Sequence, residues 1–122
     1  MGNEVKDEIT INGERYIRGC LEPAVCIDGM EYKIIRCASA GVFAGYISIR
    51  DGREVVIINA RRLWYWDGAA SLSQLAMEGV KRPDNCKFAM EVDEILVLDA
   101  IEILSCTKKS QESIKGVVIW KE

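Results

Sequence analysis

Gly52-Arg53-Glu54-Val55-Val56-Ile57-Ile58-Asn59-Ala60-Arg61-Arg62-Leu63-Trp64-Tyr65-Trp66-Asp67-Gly68-Ala69-Ala70-Ser71-Leu72-Ser73-Gln74-Leu75-Ala76-Met77-Glu78-Gly79-Val80 reads as a strand leaving a turn, an Arg/Trp-rich continuation, a second turn and a helix. Leu72, Leu75, Ala76, Gly79 and Val80 follow i, i+3, i+4, i+7, i+8 spacing, which places them on one helical stripe. Ser71 with Gln74 matches a capping box, and Gly79 suits the left-handed residue after a last turn. The spacing therefore predicts a main helix over 72–78.

Upstream, the strand leaves the Arg50-Asp51-Gly52 turn, whose register is set by hydrophobic pairing. A three-residue loop with Gly52 in a bulge pairs Ile49 with Arg53 and Ile47 with Val55. That register puts Ile47, Ile49, Val55 and Ile57 on one face. Beyond Ile58, alternation separates Ala60, Arg62, Trp64 and Trp66 from Asn59, Arg61, Leu63 and Tyr65. The adjacent arginines are thus expected on opposite faces.

Elsewhere the chain is mostly strand. Ile9–Ile11, Asn12-Gly13 and Glu14–Ile17 form a hairpin signal, since Asn-Gly accepts the positive φ angles of a two-residue turn. Residues 1–7 are polar and read as flexible. Cys20–Cys26, with Pro23, reads as a connection and Asp28-Gly29 as a turn before a strand at 32–37. Ser39–Gly45 is a small-residue segment whose glycines allow close approach of a backbone or ligand; it leads to a strand at 46–50. After a loop over 81–87, strand residues are expected near Phe88–Val92. Glu94–Leu104 is apolar on both alternations and rich in β-branched residues, which predicts one long central strand kinked at Asp99. A short second helix over 108–114, stopped at Gly116, and a final strand over 117–120 complete the reading. The sum is a single α+β domain over 1–122: a mainly antiparallel curved sheet or small β-barrel with one main helix.

Composition narrows the chemistry. The 122 residues include no histidine, which excludes imidazole-based nucleophile activation, acid/base work and metal ligation. No other catalytic constellation stands out, so the expectation is a protein that is not an enzyme and uses no cofactor or metal. A net charge of −3 argues against a duplex nucleic-acid binder. Five cysteines without a C-x-x-C pair read as free thiols of a reducing cytoplasm. No apolar run approaches the ~20 residues of a membrane span, and no signal-peptide pattern is present.

Ser39–Gly45, Asn59–Ala76 and Cys86–Phe88 carry a resemblance to a family of small bacteriophage and prophage proteins of unknown function, extending over roughly 32–120. The resemblance implies a viral setting and supplies no catalytic residue. Small phage proteins without catalytic machinery include inhibitors of host defence, among them sponges that sequester nucleotide immune signals.

Two readings of the central stretch follow. In one, Trp64 or Trp66 stacks a base, Arg61 or Arg62 grips phosphate, and the helix start at Ser71 receives an anion. Tyr65, Ser39 and Gly41, or a second subunit in a homo-oligomer, would complete that site for a nucleotide-like small molecule. In the other, the tryptophans cover the core edge with the arginines stacked over them. Asp67 and the self-satisfied cap favour the second. A protein-interaction surface is the alternative function, because exposed Trp, Tyr and Arg are what protein hot spots use.

Overall fold

The computed structural model describes residues 8–11, 14–17 and 22–121. Residues 1–7 and the Asn12-Gly13 turn lie outside them. β1 (Glu8–Ile11) and β2 (Glu14–Ile17) pair antiparallel, with Ile11 opposite Glu14. The main sheet comprises β3 (Tyr32–Cys37), β4 (Val42–Asp51), β5 (Glu54–Tyr65), β6 (Lys87–Phe88), β7 (Val92–Val97) and β8 (Ala100–Ser105). Its strand order is β6-β5-β4-β3-β8, and β7 pairs with β5 alongside β6. Every one of these ladders is antiparallel. Among the described residues there are two α-helices, α1 (Leu72–Glu78) and the longer α2 (Lys108–Gly116), and a single 3-10 turn at Pro83–Asn85. The fold is α+β, built on a curved, open sheet.

Both faces of the sheet are packed. On one, Ile34, Tyr46, Leu63 and Phe88 meet Leu75 and Ala76 of α1 and Ile114 of α2. On the other, Ile35, Phe43, Val55, Ile57, Val97 and Ala100 form a second core drawn from strands alone. A sheet that buries a face without a helix must curl on itself. The curl is visible in the connection of β7 to β8, which lie at opposite edges yet are joined only by Leu98-Asp99. The sheet edges therefore approach each other at that corner without pairing into a barrel.

This geometry corrects the single strand expected over 94–104. Its double apolar alternation arises because Ile103 packs against the second core and Leu104 against the first, while Leu96 and Leu98 of the other half are exposed. The strand expected from Tyr46 begins at Val42, because Phe43 and Ala44 serve the two cores. The strand expected near Phe88–Val92 is broken at Ala89–Glu91, between the partners that β6 and β7 find on β5. The terminal strand reduces to one parallel bridge, Phe88 to Ile119, since β6 is two residues long.

Two bulges change which way side chains point. The β4–β5 hairpin turns on Gly52-Arg53, with Asp51 opposite Glu54, Gly52 at φ 62° and no extra residue in the loop. The irregularity lies instead at Ser48: Ile47 pairs with Ile57, whereas Ile49 pairs with Val56. Ile49 is thereby turned out of the second core and is 61% exposed. The second bulge, at Asn59 (φ 52°), faces Gly45. It resets the alternation so that Ala60 faces the second core and Arg61 the first.

α1 begins as its capping signal specifies: Ser71 Oγ accepts from the Gln74 N–H at 3.1 Å. Gln74 Oε1 accepts from the Ala70 N–H at 2.7 Å. α1 ends against α2, where Ser110 Oγ donates to Leu75 O and Thr107 Oγ1 to Met77 O, each at 2.7 Å. The last carbonyls of one helix are thus satisfied by the buried start of the next. α2 runs through Gly116, beyond the expected end at 114, and closes with the Val117 N–H on Ile114 O.

Cys26 is exposed, whereas Cys37, Cys86 and Cys106 are buried free thiols. Burial pushes the Cys37 and Cys106 thiols up to about 11. A thiol reagent at mildly alkaline pH should therefore modify Cys26 quickly and these three only in urea. Peptide mapping by mass spectrometry checks this; fast native modification of Cys106 would contradict the packing.

Candidate binding surface

The Asn59 bulge divides the Arg/Trp stretch between two environments. Arg61, 5% exposed, turns toward the helices. Its guanidinium donates to Val117 O at 2.6 Å, Ile114 O at 2.7 Å, Ala89 O at 2.8 Å and Phe88 O at 3.4 Å. Those carbonyls use its donors, and its place is inside the fold. Burial lowers the Arg61 pKa, with the surrounding groups partly offsetting the effect.

Arg62 turns to the opposite face. Its guanidinium carbon lies 4.6 Å from the Phe43 ring centroid and 5.4 Å from the Trp64 ring. Both separations fit cation–π contact. Among the described residues its buried Nε has no hydrogen-bond partner and Arg62 forms no ion pair. Gly41 stands beside it: a Cβ at that position would lie 4.0 Å from Nε. Trp64, 60% exposed, is the outermost member of the group.

The Ala38–Ala40 bend borders this group. Asp99 Oδ2 accepts from the Ser39 N–H at 2.8 Å and from Ser39 Oγ at 2.7 Å. These bonds, Ser39 Oγ first, hold the Asp99 carboxyl below its usual range, with help from the Cys37 thiol and the Ala40 N–H. The β7–β8 corner is thus fastened to the start of the Gly41 approach. Its carboxylate is committed to that bend.

Of the residues singled out by sequence, Ser39, Gly41, Arg62 and Trp64 belong to this end of the molecule. Arg61, Tyr65, Trp66 and Ser71 do not. Tyr65 is exposed beside Lys87, whose ammonium lies 5.5 Å from the Trp120 ring. Trp66 is half-buried against the first core. Ser71 caps a helix of seven residues. Asp67, between them, is bonded to Arg82 at 2.8 Å and to Asn85 at 3.0 Å, so its charge is locally answered. Phe43 and Asp99 were not anticipated. Phe43 is the one large side chain within a segment of small residues, and in the sequence Asp99 stands out as the expected kink and as one of several acidic residues near it.

Three open depressions among the described residues, of about 490, 330 and 210 Å³, are lined by none of Arg62, Trp64 or Phe43. No three Cys, Asp or Glu side chains gather as a metal cluster among the described residues. No described helix is long and apolar enough to cross a membrane.

No curated protein and no solved structure matches the chain. One family model matches, over residues 30–114, an interval that takes in Gly41, Phe43, Arg62, Trp64 and Asp99. Because that interval is more than half of the 122 residues, the chain belongs to the family described as Domain of unknown function (DUF6948).

Proposed function

We propose that the chain is a non-enzymatic binding protein that docks a partner protein through the Trp64/Arg62 surface. The observation that carries this reading is a largely exposed tryptophan, outside the three depressions above, whose neighbouring guanidinium is stacked and, among the described residues, pairs with no carboxylate. Small-molecule sites usually enclose most of their ligand, whereas Trp and Arg on an open face suit a protein hot spot. The setting fits the phage or prophage resemblance: an inhibitor of a host protein, or a virion-associated part, acting in the cytoplasm of a bacterial host.

The test is capture of host proteins by the wild-type chain and by Trp64→Ala and Arg62→Ala, with folding checked by circular dichroism. A specific partner should lose about 2 kcal/mol or more of binding with either substitution. Retention equal to wild type by both folded variants would remove the reading.

A second reading rests on the orphaned Arg62 Nε beside Gly41: a nucleotide-like anion held there, as in a sponge for an immune signal. Calorimetry with a panel of cyclic oligonucleotides and cyclic ADP-ribose isomers separates the two. Heat release that vanishes in Arg62→Ala favours the nucleotide; silence from the whole panel with folded protein ends that reading.

A further inference from the structure

Among the described residues the main sheet has two edges without a ladder partner, and they differ in a way that has a functional meaning. The β7 edge carries Asp93 and Glu94, exposed carboxylates of the kind that discourage strand addition. The β8 edge presents exposed Ile101 and half-buried Ile103, separated by Glu102. Glu102 is already bonded to Arg36 at 2.8 Å. No comparable free charge protects this edge.

Facing β8 across a seam is the far end of β4. β3 pairs with β4 only up to Tyr46, apart from the Ile47 N–H bonded to Glu31 O. Beyond Ile47, β4 has no ladder partner on that side among the described residues. The seam is pinned at one end by the Ala100 N–H on Arg53 O at 3.1 Å. From there it opens into a groove of about 210 Å³ between Gly52 and Ala100–Ile103. It continues through the shared residues Arg50 and Ile103 into one of about 490 Å³.

The wider part combines apolar and charged lining. Ile47 and Ile103 are partly buried on the second core. Lys33 is answered by Glu31 at 3.0 Å and by Ser105 Oγ at 2.8 Å. Arg50 forms no ion pair among the described residues. The uncommitted charge of the seam is therefore positive.

We infer that this seam accepts an extended, acidic-apolar peptide segment of a partner protein, which adds as a strand to β8 with a carboxylate at Arg50. Strand addition uses main-chain hydrogen bonds for affinity and alternate side chains for selectivity. Past Ala100, whose N–H is already on Arg53 O, the five residues Ile101–Ser105 offer an edge of roughly 17 Å, enough for a four- or five-residue segment. A second copy is a poorer occupant, because a symmetric contact presents the same uncommitted Arg50 from both sides. The site is separate from the Trp64/Arg62 surface and does not depend on it.

The experiment uses the full chain and fluorescein-labelled eight-residue peptides of alternating valine and threonine carrying one central glutamate. Companion peptides carry lysine in place of glutamate, or N-methyl groups on alternate amides. Saturable binding of the acidic peptide is expected, weakened about tenfold or more by N-methylation, by lysine, or by Arg50→Glu in the protein. Trp64→Ala should leave it unchanged, and amide exchange should slow along β8. The inference is overturned if no peptide binds the folded chain, or if binding ignores N-methylation or Arg50→Glu. Protection on β7 instead, or self-association that Arg50→Glu abolishes, would equally overturn it.

Discussion

Arg61→Ala is expected to destabilise the domain by about 4 kcal/mol, enough to consume much of the 5–15 kcal/mol typical of a small domain. The substitution does two things. It removes a guanidinium whose donors reach Val117 O, Ile114 O, Ala89 O and Phe88 O, and among the described residues it leaves Val117 O and Ala89 O without a donor, while Ile114 O keeps the Val117 N–H and Phe88 O the Trp120 N–H. Each stranded acceptor costs ~1–3 kcal/mol. The geometry concentrates the loss, because these carbonyls belong to the end of α2, to the segment just beyond it and to the β6 region. Arg61 on β5 ties all three together. The Ile114 carbonyl also lies in the last turn of α2, where a cation is favoured by the helix dipole. Arg61→Met keeps most of the aliphatic stem and loses the guanidinium, whose carbon lies 5.5 Å from the Phe88 ring centroid, so its effect separates the polar contacts from the packing of the stem. Urea melts of wild type, Arg61→Ala and Arg61→Met check the expectation. Midpoints within error of wild type would show that the bonds contribute nothing net.

Gly45→Ala should cost about 3 kcal/mol, as overpacking against an unyielding backbone does. A Cβ at Gly45 would stand 2.5 Å from Ile57 Cγ2, 2.9 Å from Ile58 O and 3.2 Å from Ala60 Cα. The crowding comes from the Asn59 bulge, which pushes β5 toward β4 at this point. The adjustment open to the chain is to flatten the bulge, and that would rotate Ala60–Trp64 toward the wrong faces. Gly116→Ala is the control: nothing lies within 4 Å of its Cβ, and the change is expected to be neutral or to stabilise by up to ~1 kcal/mol through helix propensity. Thermal melts that place the two variants at the same midpoint would contradict the close approach at Gly45.

Much of this fold was legible in the sequence because the relevant signals are local. The cap at Ser71, the stripe of α1, the first hairpin, the strand at 32–37 and the opposition of Arg61 to Arg62 follow from side-chain period and turn chemistry. What escaped is what depends on distant parts of the chain. Alternation says that two adjacent arginines diverge; it does not say which of them meets the carbonyls at the end of α2. The Ser48 bulge was invisible because the sequence offers Ile47 and Ile49 as equals. The surrounding strands bury one and expose the other. The candidate surface was legible in part: Arg62 and Trp64 announced themselves by type, whereas Phe43 and Asp99 acquire meaning only when β4 and the β7–β8 corner come alongside.

That corner also bears on how the chain folds. β7 and β8 are neighbours in sequence, yet each completes its ladder with a strand far upstream; Lys33 and Ser105, for instance, meet across 72 positions. Contacts of that span form slowly, since a long loop must close before any of them is rewarded. With only Leu98-Asp99 between them, the two edges cannot be assembled on separate schedules. Docking one draws the other into place, and fraying one loosens the other, so the opposite margins of the sheet behave as a single cooperative unit.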